Sequence, residues 1–505
     1  MTNTLYDALF GQHAGRDAPF LLLPEGGTIT YASFLARAAQ LAHALTGAGL
    51  QPGDRLAAQV EKSPEALMLY AACVQSGVIF LPLNTAYTAD ELSYFIENSG
   101  AKLVVCDPAK ADTLHALTEA QGAALHTLAA DGSGSLTEAA AGCPDSFQTV
   151  PRGADDLAAF LYTSGTTGRS KGAMLSHGNL LSNARTLAEH WRFTGEDVLL
   201  HALPIFHTHG LFVATNVTLA AGGAMIFLPK FDPEVILARM PQATTMMGVP
   251  TFYTRLLDDA RLTREATAHM RLFVSGSAPL LAETHKAFNA RTGHVILERY
   301  GMTETNMNTS NPYDGERRPG TVGFPLPGVE LKITDPESGA TLPDGEVGHI
   351  EVRGPNVFQG YWQMPEKTAA ELREDGFFIT GDLGMIDADG YVHIVGRGKD
   401  LIISGGFNIY PKEIELMLDD QPGVLESAVI GVPHADFGET PVAVIVPEPG
   451  ATPDTAAIDA ELREKLARFK HPRAIKLVEA LPRNTMGKVQ KNLLRDQYKG
   501  LFTTA

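Results

Sequence analysis

The sequence predicts an α/β protein with a large N-terminal domain and a small α+β domain at its C-terminus. In the first 125 residues, short apolar runs alternate with helix-like segments, which is typical of parallel sheets covered by helices. After residue 320, short alternating segments are joined by Asp-Gly and Pro-Asp-Gly turns, which indicates antiparallel, barrel-like β-structure. From about residue 399, short strands mix with helices again, which predicts the small α+β domain.

The individual elements follow in chain order. Residues 31–50 have apolar side chains at helical spacing and end near a glycine, which predicts a helix. Residues 129–154 are polar, rich in Gly, Ser and Pro, and without periodicity, so we predict a connecting loop. Buried strands are predicted where short apolar runs occur, at 55–60, 77–83, 102–107, 157–163, 224–229, 243–250 and 271–276.

Charge and cysteine content argue against several classes of function. The formal net charge is −18 at pH 7, whereas a nucleic-acid or anionic-membrane surface needs clustered basic residues. Residues 66–83 are the most apolar stretch, but residues 75–77 are Gln-Ser-Gly, so we predict a helix and a strand and no membrane insertion. The N-terminus lacks a basic start before an apolar block, so no signal peptide is predicted. A reducing, cytoplasmic location is favoured by the scattered cysteines Cys73, Cys106 and Cys143.

A candidate phosphate-binding loop follows the strand at 157–163. Residues 163–172 read Thr-Ser-Gly-Thr-Thr-Gly-Arg-Ser-Lys-Gly. Glycines let backbone N–H groups turn towards an anion, hydroxyls donate further hydrogen bonds, and Lys171 adds a positive charge. The Walker spacing is absent, and a flexible polar loop is the alternative. The density of donors after an apolar strand favours a site for a phosphorylated ligand.

Six motifs, in order, resemble those of the adenylate-forming superfamily, which includes acyl-CoA synthetases, luciferases and the adenylation domains of peptide synthetases. They are YTSGTTGRSKG, SGSAPL, YGMTET, TGD, GRGKDLIISGGFNIYPKEIE and PRNTMGKVQK, and the resemblance covers essentially the whole chain. It implies an N-terminal AMP-binding domain at 1–398 and a mobile C-terminal domain at 399–505. It also implies that the protein uses ATP, Mg²⁺ and coenzyme A together with a small carboxylic acid, and it leaves protein partners undetermined.

The resemblance assigns chemical roles to particular residues. A compact ammonium suits the space between a carboxylate and the α-phosphate, and Lys488 takes this catalytic role, with Lys491 as the competitor. Thr303 and His207 complete the predicted catalytic set, and Glu304 is the predicted Mg²⁺ ligand. Tyr300 would stack on adenine. The predicted ATP-binding residues are Thr163, Ser164, Gly165, Thr166, Thr167, Gly168, Lys171, Gly276, Ser277, Ala278, Glu298, Tyr300, Gly301, Met302, Thr303, Asp382, Arg397 and Lys488.

Two reactions would share this machinery. Lys399 falls at the hinge position of the superfamily, about which the C-terminal domain rotates. One orientation would present Lys488, and the other would present the loop of Ser404, Gly405 and Gly406 to the pantetheine arm of coenzyme A. A carboxylate can accept both ribose hydroxyls, and the resemblance gives this role to Asp382, with Arg397 assisting.

The resemblance implies that His207, the first histidine of residues 203–212, lies near the phosphates and the acyl pocket, and His207 and His209 are both predicted substrate residues. A metal site is one alternative because His-x-His can chelate, although no third ligand cluster is apparent in the sequence. A satisfied structural histidine is the other alternative for each of them.

The choice of acid is predicted to depend on Arg299, which follows the apolar run 295–297. Residues 206–216 offer no acid to pair with an α-ammonium, which disfavours an amino acid, and Gly301 is expected to leave room where acetate-specific relatives carry tryptophan. A buried guanidinium without a partner is costly, and a second carboxylate on the substrate would satisfy it. Residues 298–310 resemble the malonyl-CoA synthetase branch, which implies malonate and often methylmalonate.

Several alternatives stay open at this point. Arg299 could pair with Glu298, although adjacent strand residues point to opposite faces. Arg255 is a second, weaker substrate candidate, for which a helix surface is the alternative. The protein could also be a ligase for oxalate, succinate, an aryl acid or a fatty acid, or a non-catalytic binder of acyl-adenylates.

Overall fold

The computed structural model describes residues 2–163, 170–404, 407–434, 437–466, 468–484 and 487–502. Contacts divide the chain into a larger unit, Met1–Leu331 with Val352–Phe378, and a smaller unit, Lys332–Glu351 with Ile379–Ala505. The boundary between residues 398 and 399 that the sequence indicates stays a prediction.

The larger unit contains two sheets. Their strands are β1 Pro19–Leu22, β2 Thr28–Thr30, β3 Arg55–Gln59, β4 Ile79–Pro82, β5 Leu103–Cys106, β6 Ala124–Thr127, β7 Leu157–Thr163, β8 Lys171–Ser176, β9 Val198–His201, β10 Ala224–Phe227, β11 Thr245–Gly248, β12 Leu272–Ser275, β13 Leu297–Met302, β14 Asn306–Ser310 and β15 Phe324–Pro325. Among the described residues, one sheet has the order β6-β5-β3-β4-β7-β8 and the other β15-β14-β13-β12-β11-β9-β10-β1-β2. Strands β9 to β13 pair in parallel, as do β3 to β7, which confirms the predicted α/β arrangement.

Helices pack on these sheets and bury their apolar faces. One cluster joins strands β9 to β12 to Tyr253 and Phe288, and another joins β3 to β7 to Phe95 and Leu114. The helices are α1 Thr4–Leu9, α2 Tyr31–Gly47, α3 Pro64–Ser76, α4 Ala89–Ser99, α5 Ala111–Ala120, α6 Ser135–Ala140, α7 His177–His190, α8 Asn216–Ala221, α9 Pro233–Arg239, α10 Pro250–Leu257, α11 Ala282–Thr292 and α12 Pro365–Glu371.

Two segments test the sequence interpretation directly. The apolar stretch 66–83 lies in α3 and β4, separated by Gly77 with φ 74°, as predicted. No helix of the described residues has the length and apolar character needed to cross a bilayer. The expected loop at 129–154 is wrong in part because it contains α6, whose Leu136 and Ala140 are fully buried. Six residues are too few for periodicity to reveal a helix that tertiary contacts stabilise.

The smaller unit holds most of the remaining strands. These are β16 Glu330–Thr334, β17 Gly348–Arg353, β18 Phe378–Ile386, β19 Val392–Arg397, β20 Ile402–Ser404, β21 Phe407–Ile409, β22 Val424–His434, β23 Gly438–Pro447 and β24 Ala474–Leu477. The first four form one sheet in chain order, and a second sheet has the order β21-β20-β23-β22, with β24 beside β23. Helices α13 Pro411–Asp419, α14 Thr455–Lys465 and α15 Lys491–Tyr498 complete the unit. Apolar clusters on alternate residues of β22 and β23 make this the predicted α+β part.

Candidate active site

Strand β13 carries Arg299 and the start of the nucleotide motif. It pairs in parallel with β12 and antiparallel with β14. Successive side chains of a strand point to opposite faces. The carboxyl of Glu298 accordingly accepts a hydrogen bond from the N–H of Gly320 at 3.3 Å, whereas Arg299 lies against Gly276. Glu298 and Arg299 therefore do not pair, as the alternation of strand residues predicts.

Arg299 is a buried guanidinium whose donors are largely unused. The residue is 4% exposed, and its Nε and Nη2 have no hydrogen-bond partner among the described residues. Burial lowers its pKa to about 9, with Tyr253 acting in the opposite direction, so the group remains charged at neutral pH. A buried charge of this kind is strongly stabilised by a carboxylate that accepts from both nitrogens.

The loop after β12 lies directly against this guanidinium. A Cβ at Gly276 would be 2.4 Å from Cζ of Arg299, so a larger residue would displace the side chain. Ser277 has φ 73°, a left-handed conformation that is uncommon for non-glycine residues and often marks a functional site. Its Oγ is 3.2 Å from Nδ1 of His209. Two of the three predicted residues of this loop, Gly276 and Ser277, thus contact the predicted substrate residues, while Ala278 follows them in the same loop.

His209 begins a π-helical segment, His209–Thr215, and His207 lies two residues before it. Short π-helical segments are frequent at functional sites. Burial lowers the pKa of His209 well below its ordinary value, and the charge of Arg299 acts in the same direction. His209 is therefore a neutral imidazole that can offer one donor and one acceptor.

Two buried basic residues behind the π-helical segment were missed by the sequence analysis. Nζ of Lys62 donates to Nδ1 and to the carbonyl oxygen of His201, both at 2.8 Å. Nε2 of His201 lies 2.8 Å from the carbonyl oxygen of Gly210, inside the segment. Burial lowers the pKa of both Lys62 and His201 well below their ordinary values. No local sequence pattern predicts this contact, because Lys62 and His201 are 139 residues apart in the chain.

The nucleotide motifs meet where β7 and β8 pair. Thr163 pairs with Lys171 across these strands, while Ser164, Gly165, Thr166, Thr167 and Gly168 lie outside the described residues. Nζ of Lys171 is 3.2 Å from Oε2 of Glu371 and 4.1 Å from the ring centroid of Tyr361. The Tyr361 hydroxyl lies 2.7 Å from Oε2 of Glu371 and 3.1 Å from Oε1 of Glu304. Tyr361 and Glu371 were not predicted.

Glu304 fits the role of a Mg²⁺ ligand. Its carboxyl is 4% exposed, and the Tyr361 hydroxyl orients one of its oxygens. The residues that the structure describes contain no group of three or more His, Cys, Asp or Glu that could hold a metal ion. Mg²⁺ at nucleotide sites is held by one or two carboxylates together with substrate phosphates and water. A single oriented carboxylate is therefore the donor set that such a site requires.

Gly301 does not have the role that the sequence suggested. Tyr300, Gly301 and Met302 end β13, and Thr303 follows in a turn. A Cβ at Gly301 would be 1.9 Å from the carbonyl oxygen of Asn306, so the expectation that this glycine leaves room in the pocket is wrong. The strand register shifts between Tyr300 and Gly301, which brings β14 too close for any side chain.

Arg255 is exposed on α10. This exposed position does not support the predicted role in substrate binding and favours the alternative of a helix-surface arginine. Tyr253, two residues earlier, is fully buried and donates from its hydroxyl to the carbonyl oxygen of Val274 at 2.6 Å. Burial raises the pKa of Tyr253, and the charge of Arg299 acts in the opposite direction, so the phenol is neutral.

In the smaller unit, the predicted ribose-binding pair is formed. Asp382 and Arg397 lie opposite each other in β18 and β19, and Nε of Arg397 is 3.1 Å from Oδ1 of Asp382. Lys399 follows β19, and burial lowers its pKa, with Asp400 acting in the opposite direction. Ser404 ends β20 and is buried, while Gly405 and Gly406 lie outside the described residues.

The predicted catalytic lysine ends a tight turn. The N–H of Lys488 donates to Oδ1 of Asn484 at 3.0 Å, and Gly487 has φ 75°, which glycine adopts readily. Lys491, the competing candidate, forms an ion pair with Glu415. This pair is largely buried and gives Lys491 a structural role, which favours Lys488 for catalysis.

Glu298 leads to a pH-dependent prediction. Burial raises its pKa to about 8, with the Gly320 N–H acting in the opposite direction, against about 4.3 in an unfolded chain. The folded protein keeps this proton up to about pH 8, whereas the unfolded chain releases it above about pH 4.5. The free energy of unfolding therefore decreases as the pH rises from about 4.5 to 8. We expect the Tm of Glu298→Gln to match the parent near pH 4.5 and to exceed it increasingly up to pH 8. Thermal unfolding at several pH values measures this, with exposed Glu366→Gln as the control; a difference independent of pH would contradict it.

Comparisons with known proteins show which family the chain belongs to. The AMP-binding enzyme family matches residues 10–362, and its C-terminal domain matches residues 413–488. The crystal structure of ATP-bound MatB from Rhodopseudomonas palustris is 62% identical, with a TM-score of 0.98 and 100% coverage of both chains. The feruloyl-CoA synthase of an Amycolatopsis species is 38% identical over 94% of this chain and 95% of its own. The malonate–CoA ligase of Arabidopsis thaliana is 37% identical over 89% of this chain and 79% of its own.

The fold and the nucleotide motifs define an adenylate-forming enzyme that uses ATP. The chain belongs to the AMP-binding enzyme family, over both its N-terminal and its C-terminal parts.

Proposed function

We propose that the protein is an AMP-forming acyl-CoA ligase for a short dicarboxylic acid, malonate and also methylmalonate. In the first reaction, a carboxylate oxygen of the acid attacks the α-phosphorus of ATP, which forms acyl-AMP and releases pyrophosphate. In the second, the thiolate of coenzyme A attacks the acyl carbon, which forms the thioester and releases AMP.

Arg299 is the observation that carries the choice of a dicarboxylate. Its charge is buried, two of its nitrogens have no acceptor among the described residues, and no described carboxylate pairs with it. A monocarboxylate such as acetate uses its carboxylate in the reaction and has no second anion for the guanidinium. Malonate provides that anion, because one carboxylate can be adenylated while the other accepts two hydrogen bonds from Arg299. The neutral imidazole of His209 adds a donor on the same side.

The remaining site residues act on ATP. Lys171, Thr303 and Lys488 supply charge and hydrogen bonds for the phosphates, Lys488 stabilises the charge that develops during attack, and His207 lies with the acyl group. Tyr300 stacks on adenine beside Gly276, Ser277 and Ala278, and Asp382 with Arg397 holds the ribose. Mg²⁺, when bound, neutralises phosphate charge, and Glu304 would hold it.

Two orientations of the C-terminal domain would separate the two reactions. Lys399 is the proposed hinge, and the loop of Ser404, Gly405 and Gly406 would serve coenzyme A once Lys488 has acted. The cytoplasm is the proposed location, which fits three free cysteines at Cys73, Cys106 and Cys143.

Thioester formation from a panel of acids tests this function. The panel contains malonate, methylmalonate, succinate, acetate, ferulate and a fatty acid, each with ATP, Mg²⁺ and coenzyme A. We expect malonate to give the highest kcat/KM and one AMP for each thioester. Preference for ferulate or a fatty acid would overturn the dicarboxylate assignment, and the absence of ATP–pyrophosphate exchange with every acid would favour a non-catalytic binder.

A further inference from the structure

Glu371 lies beside the nucleotide motifs without belonging to any of them. It is the last residue of α12, and its carboxylate has three partners. Nζ of Lys171 is 3.2 Å from Oε2, Nζ of Lys367 is 2.7 Å from Oε1, and the hydroxyl of Tyr361 is 2.7 Å from Oε2. Burial alone would raise the pKa of Glu371, but these partners outweigh it and lower that pKa, so the group is a carboxylate at neutral pH.

Lys171 forms an ion pair with this carboxylate. Among the residues that the structure describes, Glu371 is the one acid in ion-pair contact with Lys171, and the ring of Tyr361 lies beneath the ammonium. The two charged side chains are only 17% and 22% exposed, so solvent screens their attraction incompletely. The phosphates of ATP would therefore compete with the Glu371 carboxylate for the ammonium of Lys171.

The surroundings of Glu371 allow that exchange. Lys367, one helical turn earlier on α12, contacts the other carboxylate oxygen. When Lys171 moves to the phosphates, Lys367 remains paired with Glu371, so the carboxylate is not left without a positive partner. Tyr361 has one hydroxyl hydrogen for two carboxylates, and it lies closer to Glu371 than to Glu304.

We propose that Glu371 is a positioning residue that competes with the phosphates of ATP for Lys171 and thereby sets the affinity for ATP. ATP binding replaces the Lys171–Glu371 pair with a Lys171–phosphate contact, while Lys367 keeps Glu371 paired. This inference rests on the role of Lys171 in the proposed function. The opposing account is that Glu371 holds Lys171 in its productive position, and it predicts the opposite sign.

Glu371→Gln tests the competition, because glutamine keeps the shape and one acceptor oxygen but removes the negative charge that pairs with Lys171. ATP binding is measured by calorimetry with Mg²⁺ and without the acid, so that no turnover occurs. We expect the Kd for ATP to fall roughly three- to tenfold, as for the loss of one part-buried ion pair. An unchanged or higher Kd would overturn the proposal.

Matched variants separate this effect from a general change in charge or stability. Glu366→Gln removes an exposed carboxylate from the same helix and should leave the Kd for ATP unchanged. Glu371→Asp keeps the charge and should restore most of the parent value, and Glu371→Ala repeats the test if glutamine disturbs folding. In steady state, the KM for ATP should fall in Glu371→Gln while the KM for the acid stays constant.

A double variant shows whether Glu371 acts through Lys171. Lys171→Met should weaken ATP binding. Adding Glu371→Gln to Lys171→Met should not lower the Kd for ATP, although Glu371→Gln alone lowers it in the parent. A gain of the same size in both backgrounds would mean that Glu371 repels ATP directly, and it would overturn the proposed exchange. The proposed function fails separately, through the absence of thioester formation by the parent protein.

Discussion

Lys488→Ala is expected to slow acyl-adenylate formation by roughly 10²–10³-fold, the usual cost of removing one preorganised group that stabilises developing charge. The second reaction starts from acyl-AMP already made, so transfer to coenzyme A from supplied acyl-AMP should stay close to the parent rate. ATP–pyrophosphate exchange measures the first reaction, and thioester formation from malonyl-AMP measures the second.

Two further variants test the assignment of Lys488. Lys488→Arg keeps a positive charge but replaces a compact ammonium with a planar guanidinium, so it should recover little of the lost rate. Lys499→Ala removes an exposed lysine from the same unit and should leave both reactions unaffected. Equal loss of both reactions in Lys488→Ala would refute the separation of the two steps between two orientations.

Arg299→Met is expected to lower kcat/KM for malonate by about 10²–10³-fold, since breaking a buried pair of charges costs about 3–5 kcal/mol. Activity with a monocarboxylate of similar size, such as propionate, should change little, because that acid has no second anion to lose. The ratio of kcat/KM for malonate to that for propionate is the measurement that decides.

The stability of Arg299→Met separates a substrate role from a structural one. The parent buries a charge whose Nε and Nη2 have no partner among the described residues, so an apolar side chain of similar length should leave the Tm unchanged or raise it. Arg255→Met is the matched control, because it makes the same substitution at an exposed arginine of α10. A lower Tm together with equal loss for both acids would return Arg299 to a structural role.

Local patterns were sufficient for much of the fold and for part of the site. Alternating apolar runs and helices predicted the parallel strands, and alternation within β13 predicted that Glu298 and Arg299 face apart. These features depend on residues that are neighbours in the chain, so the sequence contains them directly.

Contacts between distant segments could not be predicted in the same way. Lys171 and Glu371 are 200 residues apart, and Lys62 and His201 are 139 residues apart, so no spacing rule connects either pair. The mistake at Gly301 has the same origin, because the space beside a glycine depends on the neighbouring strand. The pair between Lys491 and Glu415 was likewise not predicted, because these two residues are far apart in the chain.

On the proposed role of Arg299, its contact with Gly276 limits how the acid specificity of this protein can evolve. A Cβ at position 276 would overlap the guanidinium where it now lies, so a glycine there is a condition for this placement of Arg299. Loss of the arginine would remove that condition and leave space that an alanine at position 276 could fill. Once an alanine fills this space, one substitution could not easily reverse the change, because the guanidinium could regain its present position only after glycine had returned at position 276. On this proposal, selection for a dicarboxylate depends on positions 276 and 299 together. It is lost by one substitution at position 299 but regained only if position 276 changes first.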